Sequence, residues 1–173
     1  MYKAAIKQLL AMRVTNTADM LTRTKEKNDI IDLPSYDDLL DFMDDAFEEK
    51  KYRKYIINYL LIHFQVRNQD VVFDFVKSRS AMADKTKNYI WFNSRAKKVI
   101  YQRNKYKTAN VYGTKEHIIM DEQFIECVKH ITKLADNDPD RIFVPNMSSL
   151  AWYVGWYTLD RIGEGKYCKI VVN

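Results

Sequence analysis

The chemistry that this sequence offers most plainly is the binding of phosphate groups. From Lys85 to Lys115 there are nine lysines and arginines and no aspartate or glutamate. A run of cations this dense can hold a polyanion, and nucleic acid is the usual one. The alternatives are a solvated surface and a surface that docks on an acidic protein. The candidates for contacting nucleic acid are Arg95, Lys97, Lys98, Arg103, Lys105, Lys107 and Lys115.

The acidic residues are concentrated in an earlier segment. From Asp29 to Glu49 there are nine acids and no lysine or arginine. Acid pairs at this density are better explained as the solvated face of a helix than as a catalytic pair. The segments 29–49 and 85–115 therefore carry opposite charge, although the net charge of the chain is only +5.

Other familiar chemistries lack their residues. His63, His117 and His130 form no ligand pair at helical spacing, and neither cysteine has a second ligand nearby, so we expect no metal site. There is no glycine-rich phosphate loop and no Gly-x-Ser-x-Gly nucleophile elbow, and we expect no cofactor. Cys127 and Cys168 are far apart in the sequence and are expected to be free thiols.

Hydrophobic periodicity predicts the elements that must position the cations. A helix over residues 2–13 and a polar linker to residue 32 precede one domain, residues 33–173. Ser35 and Asp38 have the spacing of a capped helix start. The prediction is an α+β fold with helices packed around a small antiparallel three-stranded sheet. The predicted helices are 35–49, 52–65, 121–134 and 147–162; the predicted strands are 71–76, 88–93, 98–103 and 116–120, with a strand-like run at the C-terminus.

The order of these elements resembles that of a known family. The segments LPSYDDLLDFMDDAFEEKKYRKYIINYLLIHFQVRNQDVVFDFV and KVIYQRNKYKTANVYGTKEHIIMDEQFIECVKHI resemble the front of the tyrosine recombinase, or phage integrase, catalytic domain. The resemblance spans residues 33–160. It implies that Arg67 stands at the first catalytic arginine and Lys107 at the catalytic lysine. At residues 68–70 the sequence departs from the family's usual residue–Glu–Leu step. Large eukaryotic DNA viruses carry divergent relatives of this kind.

The resemblance also implies what is missing. In this family two arginines and a lysine neutralise the scissile phosphate, and a tyrosine attacks it. The second arginine lies in a His-x-x-Arg box with the tyrosine after it, and neither is found before Asn173. We therefore expect no catalysis, with Arg67 and Lys107 as vestigial positions. From the residues alone, Arg67 could instead cap the helix before it, and Lys107 could be a turn lysine.

The aromatic residues have two interpretations. They could form part of the core, which is the commoner role, or a platform on which nucleic acid bases stack. We expect the core. The residues concerned are Trp91, Phe92, Tyr101, Trp152 and Trp156.

Three functions fit these observations. The first, which we favour, is a recombinase-derived structural or interaction protein, such as a minor capsid component of a large double-stranded DNA virus. The second is a non-specific DNA-binding protein that uses the hairpin at 85–115. The third is one part of a split tyrosine recombinase.

The expected partners follow from the first function. Without the family's C-terminal catalytic helices, the core built by residues 52–65 and 121–134 would keep an uncovered apolar face. We expect a protein partner or a second copy to cover that face and the IVVN tail. No membrane span or secretory leader is expected, which predicts an intracellular location (cytoplasm or viral factory) or a virion, not secretion.

Overall fold

The structure, a computed structural model, describes residues 33–146 and 149–172. The chain divides into a unit Met1–Pro34 and a unit Ser35–Asn173. The helix predicted at 2–13 and the linker that follows it lie outside the described residues. Among the helices of the described ranges, none has the length and apolar character needed to cross a bilayer.

The first described helix, α1 (Tyr36–Glu48), begins as predicted. The Ser35 hydroxyl accepts a hydrogen bond from the Asp38 N–H at 3.1 Å, and the Asp38 carboxylate accepts one from the Ser35 N–H at 2.7 Å. These bonds satisfy N–H groups that a helix start leaves free. The Ser35 hydroxyl, which donates to the Asp38 carboxylate at 2.8 Å, and then the Ser35 N–H hold the pKa of Asp38 below its usual range. The acidic side chains of α1 face solvent, while Leu39, Met43 and Ala46 are buried.

Helix α2 (Tyr52–Phe64) is the centre of the domain, as its apolar sequence predicted. Every residue from Tyr55 to Ile62 is buried. The helix packs against α1 and against three later helices, α4 (Glu122–Lys133), α5 (Leu150–Tyr157) and α6 (Glu164–Val172). The prediction that this core keeps an uncovered apolar face is therefore wrong, because the chain's own C-terminal helices pack on α2.

The predicted strand at 71–76 joins the predicted three-stranded sheet, which therefore has four strands, in the order β1-β2-β3-β4. Strand β1 (Asp74–Val76) pairs in parallel with β2 (Tyr89–Asn93), so the sheet is mixed rather than antiparallel. Strand β3 (Lys98–Arg103) pairs antiparallel with β2 and with β4 (Lys115–Ile119). The hairpin turn at 94–97 is as predicted. The connection between β1 and β2 contains a short 3₁₀ turn, and this crossover makes the parallel pairing possible.

Strand β1 is shorter than the run 71–76 that its residues predicted. Asn68–Val71 forms a 3₁₀ turn instead of extended chain. A short helix that the sequence analysis did not predict, α3 (Ala109–Tyr112), lies between β3 and β4. Helix α4 begins at the predicted cap, where the Asp121 carboxylate accepts a hydrogen bond from the Phe124 N–H at 2.8 Å.

The C-terminal part differs most from the prediction. Helix α5 is shorter than the predicted 147–162, and a 3₁₀ turn (Leu159–Arg161) follows it. The predicted C-terminal strand is instead helix α6. Tyr167 and Ile170, three residues apart, are both buried, which is helical spacing on an inward face. A strand would have placed them on opposite faces, so packing against α2 selects the helix.

Candidate nucleic-acid interface

Arg67 and Lys107, forty positions apart in the sequence, line the same cavity of about 310 Å³. Arg67 follows α2, which ends at Gln65 in the left-handed backbone region, and it precedes the 3₁₀ turn. Lys107 lies in the turn between β3 and α3. Both side chains are exposed. The fold thus brings together the two positions that the recombinase resemblance singled out.

One carboxylate shares the cavity with these cations. Glu164, the first residue of α6, accepts a hydrogen bond from the Asn68 backbone N–H. The contact fixes the turn after Arg67 to the C-terminal helix. It also gives the cavity one negative charge against the two positive charges of Arg67 and Lys107. Glu164 was not predicted as part of a site, because the residues after it were expected to form a strand.

The turn after Arg67 also holds a buried acid. The Asp70 carboxylate accepts a hydrogen bond from the Arg67 backbone N–H at 3.1 Å. Burial raises the pKa of Asp70, while that hydrogen bond and the charges of Arg103, Arg67 and Lys115 oppose the rise. Asp70 was missed in the sequence, although an acid three residues after a turn start is a recognisable capping signal.

Arg103 is buried, and this corrects its prediction as a phosphate contact. Its residue surface is only 9% exposed, and its guanidinium Nη1 lies 3.9 Å from the Asp70 Oδ2. The guanidinium also lies over the Tyr106 ring, 5.0 Å from the centroid. The strand alternation that points Tyr101 toward the helices points Arg103 the same way. Arg103 therefore packs beneath the site, and its guanidinium is not exposed to solvent for contact with a phosphate.

Strand β4 begins beside Arg103 with Lys115 and carries His117 two residues further along. Lys115 is paired with Arg103 and His117 with Tyr101 in the strand register. The Lys115 ammonium lies 5.3 Å from the centroid of the Tyr106 ring. Burial first, then the charges of Arg103 and Lys115, lower the pKa of His117. His117 is therefore a neutral imidazole near pH 7 in the folded chain, and the sequence analysis had considered it only as a metal ligand.

Four buried side-chain atoms without a hydrogen-bond partner gather in this region. In the described part of the chain they are Asn68 Oδ1, Asp70 Oδ1, Arg103 Nε and His117 Nε2. Buried polar atoms are nearly always paired in folded proteins, so each exception needs a reason. Asn68 and Asp70 belong to the 3₁₀ turn after Arg67, Arg103 is the last residue of β3, and His117 lies in the middle of β4.

The remaining predicted cations do not form one continuous surface with this site. Arg95 and Lys97 lie in the turn between β2 and β3, both exposed, and Lys98 starts β3. At about 3.3 Å per residue, β3 separates that turn from Arg103 by about 17 Å. Lys105 is exposed just after β3. The run of cations in the sequence is therefore two groups at opposite ends of one strand.

Two buried tyrosine hydroxyls near the site are engaged in other bonds. The Tyr101 hydroxyl donates to the Asp70 carbonyl at 2.6 Å, and the Tyr106 hydroxyl donates to the Gly113 carbonyl at 2.8 Å. Full burial raises the pKa of Tyr101 far above its ordinary value. Neither group is prepared to lose its proton and attack a phosphate.

Comparisons with known proteins give no relative: no family model, curated protein or solved structure matches this chain.

Proposed function

We propose that this chain is a recombinase-like protein that holds the phosphate backbone of duplex DNA without cutting it. The observation that carries the proposal is the single cavity lined by Arg67 and Lys107. Arg67 offers a planar fork of N–H donors and Lys107 a point charge, which together suit a phosphate diester. Contacts of this kind to the backbone carry no sequence information, so binding should be non-specific.

The surrounding residues support this role by fixing the site. The Asp70 carboxylate and the Glu164 carboxylate hold the backbone of the turn that follows α2. Arg103 adds a buried positive charge close to Asp70 and limits the cost of burying that acid. Binding without cleavage is supported at Tyr101 and Tyr106, because cleavage needs a hydroxyl free to attack and theirs donate to backbone carbonyls. Tyr112, which is 66% exposed, is therefore the tyrosine to change in the cleavage test.

The test is the salt dependence of binding to a fluorescein-labelled duplex, followed by anisotropy. Each phosphate contact contributes roughly 0.9 to the slope of log K against log salt. The double variant Arg67→Gln/Lys107→Gln should lower that slope by about two. The matched control is Arg95→Gln/Lys97→Gln, which removes the same charge from exposed residues at the other end of β3.

Two results would overturn the proposal. An unchanged salt slope in the Arg67/Lys107 variant, or a slope lowered only in the control, would show that the cavity does not contact DNA. A covalent complex with a nicked suicide duplex, surviving denaturation and lost on changing one tyrosine to phenylalanine, would show that the chain cleaves DNA.

The favoured interpretation from the sequence, a structural or interaction protein such as a minor virion component, stays as a second candidate on a different observation. Strand β4 is at the edge of the described sheet. Two apolar side chains are exposed there, Ile118 within β4 at 58% and Met120 directly after it at 69%. An open strand edge with apolar side chains is a ready surface for another chain. A partner or second copy would dock there, not over α2.

A further inference from the structure

A second cavity, of about 470 Å³, lies at the opposite end of α2 from Arg67. Its walls come from the turn between α1 and α2, the end of α4, and α5. It has no lining residue in common with the cavity of Arg67 and Lys107. We call it the α2 cleft, and its lining combines cations with aromatic rings.

The cations of the α2 cleft come from one short segment. Lys50, Lys51, Arg53 and Lys54 all line it, against a single lining carboxylate, Asp140. Lys51 is paired with Glu49 outside the lining, at 2.7 Å. Burial and then the charge of Lys51 lower the pKa of Lys54, as expected where positive charges are crowded. The cleft is therefore positively charged and suits an anion.

The segment is held rigidly on its inner side. The Arg53 guanidinium donates hydrogen bonds to the carbonyls of Pro139 and Ile142 and to the Tyr153 hydroxyl. Lys50 stands in the left-handed backbone region, at φ 57°, which a non-glycine residue adopts only when its surroundings require it. The cations are thus presented by a fixed turn rather than by a flexible loop.

The aromatic wall of the cleft includes an indole that the core does not use. Trp156 lines the cleft and is 53% exposed. Trp152, one helical turn earlier, is 57% exposed, and the two rings lie 5.5 Å apart. The prediction that these tryptophans belong to the core is therefore wrong, although Tyr101 does belong to it. Tryptophans that are half exposed on one helix face commonly mark a binding surface.

We propose that the α2 cleft binds an unpaired nucleotide, with the base stacked on Trp156 and the phosphate held by Lys50 and Lys54. The Trp156 ring already carries the Arg161 guanidinium 4.4 Å from its centroid, so a base would stack on the opposite face of the ring. An acidic peptide would use the cations of the cleft but not that face. A nucleotide uses both, which is how single-stranded nucleic acid is generally bound without sequence preference. The cleft also falls in the usual size range of small-ligand sites. The shared chemistry is a base with an attached phosphate, either free or in a single strand, and it is independent of the duplex site.

The experiment compares two labelled single strands of equal length and charge, one of thymidines and one of abasic sites. Wild type should bind the thymidine strand about tenfold more tightly, since stacking one base commonly gives that much. Trp156→Leu should abolish the difference. The matched control, Trp152→Leu, removes an equally exposed indole that does not line the cleft and should keep it. Lys50→Gln/Lys54→Gln should weaken both strands and lower the salt slope by about 1.4.

Thermal unfolding of each variant checks that the fold is retained, which is expected because Trp152 and Trp156 are exposed. Displacement by thymidine monophosphate identifies a free nucleotide as the ligand, whereas displacement only by strands identifies single-stranded nucleic acid. Equal binding of the thymidine and abasic strands by wild type would overturn the proposal, and so would equal displacement by polyglutamate. The Arg67/Lys107 variant should leave the ratio of affinities for the thymidine and abasic strands unchanged. A failure of the duplex proposal can therefore be told apart from a failure of this one.

Discussion

The hydroxyl of Tyr167 is the sharpest test of the C-terminal part of the fold. It donates a hydrogen bond to Asn58 Oδ1 at 2.7 Å and accepts one from the Leu159 N–H at 2.9 Å. Asn58 in turn donates to the carbonyls of Lys54 and Tyr157, both at 2.8 Å. Asn58 and Tyr167 are both buried, so this network joins α2 to α5 and α6 without help from bulk water.

Changing Tyr167 to Phe removes one oxygen and leaves a buried acceptor on Asn58 and the Leu159 N–H without that partner. A buried group that loses its partner costs about 1–3 kcal/mol, and the N–H of the half-buried Leu159 costs less than that. We therefore expect the free energy of unfolding to fall by about 2–4 kcal/mol. With a urea slope of roughly 2 kcal/mol per molar, the midpoint should fall by about 1–2 M.

Equilibrium urea unfolding followed by circular dichroism measures this change. The control is Tyr157→Phe, since Tyr157 is only half buried and its ring keeps its contact with Arg53 when the hydroxyl is removed. We expect the control to shift the midpoint little. If Tyr167→Phe were as stable as Tyr157→Phe, residues 164–172 would not pack on α2 as a helix. The C-terminal strand predicted from the sequence would then be the better description of that segment.

Two further predictions concern the sheet. At His117 the folded chain lowers the pKa below the ordinary value of 6.5 by burial and by the charges of Arg103 and Lys115, so stability is lost as pH falls below that value. His117→Gln should remove part of the loss of stability between about pH 7 and pH 5 in urea unfolding; an identical pH profile would contradict the assignment. At the β4 edge, Ile118→Lys/Met120→Lys should weaken self-association in sedimentation velocity. A wild type that stays monomeric up to high concentration would leave this edge without a second copy.

Periodicity predicted the elements whose burial is decided locally. Helix α1 has its cap in Ser35 and Asp38, and α2 is apolar on nearly every side, so both were placed to within a residue or two. The C-terminal residues carry no such local signal. KYCKIVVN has a strand-like composition, and only the position of α2, with Asn58 ready to accept from Tyr167, makes it a helix. Tertiary packing decided this element, and propensity could not reveal it.

The candidate site shows a similar division between local and long-range information. The sequence singled out Arg67 and Lys107, and the fold places them in one cavity. The sequence could not show that Arg103 is buried beside Asp70. The face of the sheet on which each cation lies is known only once the strand register is known. Glu164 could be found only once the C-terminus was known to be helical and to reach the turn after Arg67.

The orphaned polar atoms give the strongest physical reason to place function at the Arg67 end of α2. A buried donor or acceptor without a partner costs on the order of 1–3 kcal/mol, and the described residues have four such atoms, on Asn68, Asp70, Arg103 and His117. Their packing could be replaced by apolar side chains at lower cost, as buried ion pairs often can be. Sequences keep such local conflicts mainly where a function requires them. Two of the four atoms are nitrogens and two are oxygens, so a phosphate alone would not satisfy the set. Asn68 also lines the cavity of Arg67 and Lys107, so its Oδ1 is the one of the four that a water-bridged phosphate in that cavity would reach.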